Sequence, residues 1–177
     1  MKIKNILILA TLSTSLLFSC TKLEEEFDDS LSAVAEDDID PQSILQGAYS
    51  ALNNPFQDQS RFWAAQEHTG DAVIGPTRGA DWDDNGVWRV IHTHSWNADH
   101  GQVGTVFNNL LGLVFNATNI LTFIPKSTAA NKLQIEAEAK FIRAFAMFAV
   151  LDLYGQVPFR QPGENLLNPP TVLKGTE

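Results

Sequence analysis

The sequence predicts a mainly α-helical fold, and three observations lead to that prediction. Two long segments in its second half repeat apolar residues at helical spacing. A shorter segment near position 40 carries a helix-start signal ahead of the same kind of repeat. The chain has 177 residues, of which 44% are hydrophobic and 19% charged, which is enough for one domain with a buried core.

The charge and the cysteine content narrow the classes of function. The formal net charge is −9, and it becomes −11 if residues 1–19, which hold Lys2, Lys4 and no acid, are removed. A surface this acidic repels phosphate backbones, so we expect no nucleic-acid partner. Cys20 is the one cysteine of the sequence, so no internal disulfide can form.

Residues 1–19 have the pattern of a secretory signal peptide. Two lysines are followed by an almost entirely apolar stretch at residues 6–18, too short to span a bilayer as a mature helix. The stretch runs into LFSC at positions 17–20, which resembles a bacterial lipobox with Cys20 as the acylated residue. Acyl chains on Cys20 would hold the protein at a membrane. The alternative is an ordinary signal peptide with an incidental cysteine.

Residues 20–39 are predicted to be a tether between the anchor and the folded part. The run EEEFDD at residues 24–29 is acidic, and such a segment stays solvated and repels itself into extended conformations. The run also resembles the export signal of surface-displayed lipoproteins, and the two interpretations are compatible. The folded helical domain is then expected at residues 40–177.

The first helix is predicted to begin after Asp40, which is a favourable N-cap, with Pro41 at the first helical position. An apolar stripe follows, formed by Ile44, Leu45, Ala48 and Leu52. The sequence NNP at residues 53–55 is expected to end this helix. Residues 56–101 are expected to be irregular and rich in Gly, Asp and Trp, with a short strand at residues 87–92.

Two long helices are predicted for the second half of the chain. The first is expected to end at Pro125, and its apolar positions are Val106, Leu110, Leu113, Val114, Ala117, Ile120, Leu121 and Ile124. The second is expected to start at Asn131, capped by that residue with Gln134 three positions on, and to stop at Gly155. Its predicted inward face consists of Ala137, Phe141, Ala144, Phe145 and Phe148. The short connection between the helices predicts an antiparallel pair of core helices, not membrane spans.

Five short segments, taken in order, carry a resemblance to a known family. EAKFIRAF at residues 138–145 and LYGQVPF at residues 153–159 are similar to the helix-to-loop signature of the SusD/RagB family. ILQGAY at residues 44–49 resembles the first-helix pattern of that family, and residues 67–71 resemble the acidic turn that follows. ATNIL at residues 117–121 resembles its Asn-containing helix.

The resemblance implies a mainly α fold of tetratricopeptide-like antiparallel helix pairs with a long irregular Trp-rich insertion. It implies a surface-exposed outer-membrane lipoprotein that binds a glycan or other oligomeric nutrient and delivers it to a SusC-like, TonB-dependent transporter. It covers only the N-terminal third or so of a typical family member, so we expect residues 40–177 to be a truncated domain. No catalytic motif accompanies it, and we expect no enzyme activity and no cofactor.

The candidate ligand-binding residues lie in the Trp-rich segment and are Trp82, Trp88, Trp96, Asn85 and Asn97. Tryptophan rings can stack on the apolar faces of sugar rings, while neighbouring amides bond the hydroxyl groups. The alternative is that the tryptophans fill the core of a loop-rich region, because spacing alone does not show which way a loop tryptophan points.

Two metal-site patterns point to weaker alternatives. DWDDNG at residues 81–86 matches the first half of a calcium loop, but position twelve of that loop is His92 instead of an acid. His92, His94 and Asp99 could serve a metal-assisted hydrolase, although structural histidines are the favoured interpretation and we expect no metal site. A structural or adhesive lipoprotein without a small ligand is the other alternative.

Overall fold

The computed structural model describes residues 40–75 and 81–175. These residues contain six α-helices and a two-stranded antiparallel sheet, joined by turns and loops. In chain order they are α1 (Pro41–Ala51), α2 (Asn53–Phe56), α3 (Phe62–Glu67), α4 (Val87–His92), α5 (Gly101–Phe123), α6 (Lys132–Tyr154), β1 (Gln156–Phe159) and β2 (Thr171–Lys174). The prediction of a mainly α fold is confirmed. The predicted signal peptide, Cys20 and the acidic tether lie outside the described residues.

Both ends of α1 are as predicted. The carboxylate of Asp40 accepts hydrogen bonds from the backbone N–H of Gln42 at 3.0 Å and of Ser43 at 3.3 Å. These bonds satisfy two donors that the first turn of a helix leaves unpaired. The helix ends at Ala51 with Leu52 as its C-cap, directly before the predicted stop at residues 53–55, which themselves belong to the separate short helix α2. Pro55 is tolerated there because it lies in the first turn of α2, where its missing N–H is not needed.

The helices α5 and α6 form the antiparallel pair that the sequence predicts. The hydroxyl of Tyr154, at the end of α6, donates to the carbonyl of Val103, near the start of α5, at 2.8 Å. The helix α1 packs on both, and the core between the three helices contains Leu45, Ala48, Ala117, Ile120, Leu121, Ile124, Ile135, Ala139 and Ile142. By length and apolar content alone the stretch Gly101–Lys126 could cross a membrane, but its buried side chains contribute to this core.

The two ends of α6 are held in different ways. Gly155 ends the helix as predicted, in a left-handed conformation with φ of 70° that glycine adopts without strain. Asn131 precedes the first turn, but its side-chain amide donates to Oε1 of Gln42 at 3.0 Å and so ties α6 to α1. The predicted side-chain cap is therefore wrong, and Gln134 donates instead to Glu138 at 2.7 Å.

The predicted inward face of α6 is wrong. Phe141 is 68% exposed and Phe148 is 63% exposed, and the remaining members of the predicted face are exposed as well. The residues that are buried lie on the neighbouring face and are Ile135, Ala139, Ile142, Ala146, Ala149 and Val150. Both faces are apolar. The face with three alanines turns inward because small side chains let two helices approach closely, whereas a row of phenylalanines would hold them apart.

Part of the Trp-rich segment is helical, because α3 and α4 both lie within residues 56–101. The predicted strand at residues 87–92 is wrong, because these residues form α4. Gly86, with φ of 84°, leads into α4 from a left-handed conformation. Trp88 and Ile91 are then buried three residues apart on one face, and positions three apart share a face in a helix but not in a strand.

Candidate functional site

A cleft of about 370 Å³ opens between α3, α4, the start of α5 and the end of α6. This volume lies within the range of small-molecule binding sites. Its apolar lining consists of Ala65, Trp88, Ile91, Trp96, Val103, Val106 and Leu153. Its polar lining consists of Ser60, Arg61, Gln66, Thr69, Gln102, Asp152 and Tyr154. The cleft therefore combines an apolar wall with several hydrogen-bonding groups, as a site for an amphipathic ligand requires.

Trp96 is the exposed aromatic residue of the cleft. Its side chain is 43% exposed, whereas Trp88 is only 2% exposed. Trp96 lies in the loop between α4 and α5, where His94 adopts a left-handed conformation with φ of 54°. The Nε2 atom of His94 lies 2.8 Å from the carbonyl oxygen of Thr69, which fastens this loop to the segment after α3. The indole ring of Trp96 is thus available to a ligand on an anchored loop.

Four of the seven polar lining residues form two hydrogen-bonded pairs. The Nη1 atom of Arg61 donates to Oε1 of Gln102 at 3.0 Å. The Nε2 atom of Gln66 donates to Oδ2 of Asp152 at 3.1 Å. Each pair restrains its side chains and still leaves donors and acceptors for a ligand, because guanidinium, amide and carboxylate groups each form several hydrogen bonds.

The charges around the cleft leave it without an excess of positive charge. Arg61 is also paired with Asp58, at 3.4 Å between Nε and Oδ2. Asp152 contributes a second carboxylate to the lining of the cleft. The positive charge of Arg61 is therefore outnumbered by the negative charges of Asp58 and Asp152, so the local charge does not favour an anionic ligand.

Tyr154 supports the wall of the cleft at the end of α6. Its hydroxyl donates to the carbonyl of Val103, and its ring packs edge-on against Phe107 with 5.0 Å between ring centroids. Burial raises the pKa of Tyr154 to about 12, because a phenolate loses its hydration when it is buried. Tyr154 is therefore a neutral structural donor in this wall.

An aromatic cluster adjoins the cleft through Trp88. The imidazole of His68 packs against the indoles of both Trp82 and Trp88, with centroid distances of 5.6 and 5.0 Å and interplanar angles of 28° in both cases, and the two indoles contact each other at 4.9 Å, so the three rings form a triangle. His68 is 2% exposed, and neither ring nitrogen has a hydrogen-bond partner among the described residues. Burial lowers the pKa of His68, and His92 lowers it further, while Glu67 opposes them. The cluster therefore holds a neutral imidazole.

The five predicted ligand-binding residues fall in different environments. Trp96 and the edge of Trp88 line the cleft. Trp82 is half-buried against His68 and does not line it. Asn85 is exposed in the turn before α4, and Asn97 is exposed with its Oδ1 accepting the backbone N–H of Asp99 at 3.0 Å. Two of the five, Trp88 and Trp96, thus line the cleft together. The role of all five residues in ligand binding stays a prediction.

Sequence reasoning missed the polar wall of the cleft. Arg61 and Gln102 are 41 positions apart, and Gln66 and Asp152 are 86 positions apart. No motif or spacing links these residues, because the packing of α3 against the ends of α5 and α6 brings them together. No local signal in the sequence could have identified them.

Two of the three acids of the calcium-like loop, Asp83 and Asp84, are engaged with side chains of α4. Oδ2 of Asp84 accepts the indole N–H of Trp88 at 2.6 Å, and Asp83 forms an ion pair with Arg89. Within residues 40–75 and 81–175, no group of three or more His, Cys, Asp and Glu side chains is arranged to hold a metal ion.

The chain is similar to the SusD-like protein P25 of Formosa agariphila. The two proteins are 29% identical over an alignment of 173 residues that covers 90% of this chain and 32% of the relative. The chain thus spans about a third of the length of this relative. No family model matches the chain, and no solved structure matches it significantly. The similarity points to SusD-like proteins and concerns an N-terminal portion of them.

Proposed function

We propose that this protein is a binding protein, not an enzyme, and that it captures a glycan in the cleft beside Trp96. One observation carries the proposal: a half-exposed indole shares the cleft with amide, guanidinium and carboxylate groups that are held in hydrogen-bonded pairs. The similarity to a SusD-like protein supports the same class of function.

The chemistry of the cleft suits a sugar. A sugar ring has an apolar C–H face, which stacks on an indole such as that of Trp96, and a rim of hydroxyl groups, which bond amides and carboxylates such as those of Gln66 and Asp152. An aromatic contact contributes on the order of 0.5–1.5 kcal/mol beyond the burial of its area. A site with a single aromatic contact of this strength binds its ligand reversibly, as transfer of the ligand to another protein requires.

The predicted residues outside the cleft fit a longer ligand. Asn97 directly follows Trp96 in the same loop and is exposed. Trp82 contacts the buried Trp88, with 4.9 Å between ring centroids, and Asn85 is exposed in the turn before α4. An oligosaccharide that extends beyond the cleft would meet these residues, whereas a monosaccharide would not. We therefore assign Trp96 as the primary platform and the other residues as secondary contacts.

The ligand that we propose is a neutral oligosaccharide. The guanidinium of Arg61 is balanced by Asp58, and Asp152 adds a second carboxylate to the lining of the cleft. The whole chain carries a formal net charge of −9. Both the local and the overall charge repel uronic or sulfated sugars and leave neutral sugars unaffected.

We place the protein at the surface of the outer membrane, held by acyl chains on Cys20 and facing the exterior. Removal of residues 1–19 would leave Cys20 at the N-terminus, followed by an acidic tether at residues 20–39 and the helical domain at residues 40–177. We propose a SusC-like, TonB-dependent transporter as the protein partner that receives the glycan. The lipobox and the similarity to a SusD-like protein support this arrangement.

The lipid anchor is tested by labelling expressing cells with a fatty-acid analogue. The full-length protein should incorporate the label, and a Cys20→Ser variant should not and should lose its association with the membrane fraction. Incorporation into the Cys20→Ser variant would contradict the assignment of Cys20.

The binding function is tested by affinity electrophoresis of the full-length protein through gels that contain neutral or acidic polysaccharides. We expect at least one neutral polysaccharide to retard the protein and acidic ones to have less effect. A folded protein that none of the polysaccharides retards would contradict the proposal.

A further inference from the structure

His94 occupies a position at the end of α4 where the local geometry favours glycine. The helix ends with Thr93 as its C-cap. The backbone N–H of His94 then donates to the carbonyl of Ile91 at 3.0 Å, and that of Ser95 donates to the carbonyl of Val90 at 3.1 Å. These two bonds form a Schellman motif, in which the residue after the C-cap is left-handed and is usually glycine. His94 adopts that conformation, with φ of 54°, although a side chain is strained there.

The side chain of His94 makes a contact that glycine could not make. Its Nε2 atom lies 2.8 Å from the carbonyl oxygen of Thr69. A carbonyl oxygen only accepts hydrogen bonds, so Nε2 carries a proton and donates. The hydroxyl of Thr69 in turn donates to the carbonyl of Gln66, in the last turn of α3, at 2.8 Å. The imidazole of His94 therefore joins the end of α4 to the end of α3.

The two helix ends that this bond joins carry different parts of the cleft lining. Trp96 follows the end of α4, two positions after His94. Gln66 and Thr69 line the cleft from the end of α3. The bond between His94 and Thr69 thus fixes the spacing between the exposed indole and the polar groups of the cleft.

We propose that His94 is a positioning residue for ligand binding, which holds the indole of Trp96 at a set distance from the amide of Gln66 so that one sugar meets both. This role rests on the glycan-binding function proposed above. A strained residue persists where the surrounding structure holds it in place, and such residues are concentrated at functional sites. A loop that is fixed before binding loses little conformational entropy when the ligand binds.

Loss of the bond between His94 and Thr69 should weaken binding because the ligand must then order the loop itself. The net contribution of one hydrogen bond corresponds to a loss of affinity of about fivefold. The loss should appear in the affinity and not in the stability of the fold, because the same substitution can relieve the strained backbone at His94.

Three substitutions of His94 separate the side-chain bond from the backbone strain. His94→Gly removes the imidazole and the strain together. His94→Asn keeps a side chain that tolerates the left-handed conformation, but its amide is too short to reach the carbonyl of Thr69. His94→Gln carries an amide nitrogen at about the reach of Nε2 and can restore the bond.

Thr93→Val is the matched control within the same loop. The hydroxyl of Thr93 donates to the carbonyl of Arg89 at 2.9 Å and lies 2.9 Å from the hydroxyl of Ser95. The substitution therefore removes hydrogen bonds inside the loop and leaves the bond between His94 and Thr69 intact.

Affinity and thermal stability are measured on the full-length protein in detergent. Calorimetry uses the neutral polysaccharide that most retards the wild type in affinity electrophoresis. His94→Gly and His94→Asn should lose about fivefold in affinity, and His94→Gln and Thr93→Val should stay within about twofold of the wild type. The unfolding midpoint of His94→Gly should stay within about 3 °C of the wild type, because relief of strain offsets the lost bond.

The position of the Trp96 indole is measured without ligand by fluorine NMR of protein labelled with fluorotryptophan. The chain contains four tryptophans, and the Trp96 resonance is the one that Trp96→Phe removes. In His94→Gly and His94→Asn this resonance should move toward the chemical shift of free fluorotryptophan. In His94→Gln it should keep its wild-type shift, and the resonance of the buried Trp88 should not move in any variant.

Three results would overturn the proposal and leave the proposed function standing. They are wild-type affinity in both His94→Gly and His94→Asn, equal losses in His94→Asn and Thr93→Val, and a loss of affinity with an unmoved Trp96 resonance, which would make His94 a direct ligand contact. A folded wild type that binds no polysaccharide would instead contradict the proposed function, and this role of His94 with it.

Discussion

The side-chain amide of Gln66 donates a hydrogen bond to the carboxylate of Asp152 at 3.1 Å, although the two residues are 86 positions apart in the sequence. The bond joins α3 to the last turn of α6 and forms one wall of the cleft beside Trp96. Asp152 is thus placed in the proposed site by the fold, and its carboxylate should determine which ligands the site accepts.

Replacing Asp152 by asparagine should weaken the discrimination against acidic sugars. The asparagine carbonyl can still accept the bond from Gln66, but it carries no charge to repel a uronic or sulfated ligand. We expect the affinity for acidic oligosaccharides to rise by about threefold to tenfold at low salt and the affinity for neutral ones to change by less than about threefold. Calorimetry at low and high salt measures both.

The gain for acidic ligands should disappear at high salt, because mobile ions screen the charge. An Asp152→Asn variant with unchanged preference between acidic and neutral ligands would contradict the assigned role of this carboxylate.

The buried imidazole of His68 should make the protein less stable in mild acid. Burial lowers the pKa of His68 in the folded protein below its usual value of 6.5. The unfolded chain therefore binds this proton more readily, so the free energy of unfolding is highest above about pH 6.5 and falls as the pH drops from there through the folded-state pKa. His68→Phe keeps an aromatic ring in contact with Trp82 and Trp88 and removes the titration.

Urea unfolding at pH 7, 6 and 5 tests this expectation. The loss of stability between pH 7 and pH 5 should be smaller in His68→Phe than in the wild type. Equal losses in the two proteins would show that His68 does not contribute to the pH dependence.

Two neighbouring residues of α6 should differ sharply in their contribution to stability. Ile142 is 1% exposed in the core, whereas Phe141 is 68% exposed. Ile142→Ala should lower the free energy of unfolding by about 2–5 kcal/mol, because it leaves a cavity. Phe141→Ala should change it by about 0.5 kcal/mol or less. Urea unfolding measures both changes, and a loss from Phe141→Ala as large as that from Ile142→Ala would contradict the observed orientation of α6.

The long helices were predictable from the sequence, and the orientation of α6 was not. Helical spacing of apolar residues and the glycine at position 155 define α6 correctly. Two apolar faces lie side by side on this helix, and hydrophobicity alone favours the one with Phe141 and Phe148. Which of the two faces turns inward depends on how closely α6 can approach α5, and this is a property of the packed pair. Small residues such as Ala139 and Ala146 favour a close approach.

The cleft was predictable only in part. The sequence indicated Trp96 because tryptophans in a polar loop are candidates for sugar binding, and it indicated Trp88 on the same grounds. Residues 87–92 form the helix α4 and not the predicted strand. Trp88 is buried because this helix turns its side chain toward His68 and Ile91. The polar wall depends on contacts between distant segments, such as that between Gln66 and Asp152, which no local pattern encodes.

The central claim is that a glycan binds beside Trp96, and calorimetric titration of matched tryptophan variants tests it most directly. Trp63 is the control, because it is 46% exposed, compared with 43% for Trp96, and packs edge-on against Trp82 without lining the cleft. With a polysaccharide that the wild type binds, Trp96→Ala should lose about tenfold or more in affinity, and Trp63→Ala should stay within about twofold. Wild-type affinity in Trp96→Ala, or equal losses in both variants, would contradict the claim.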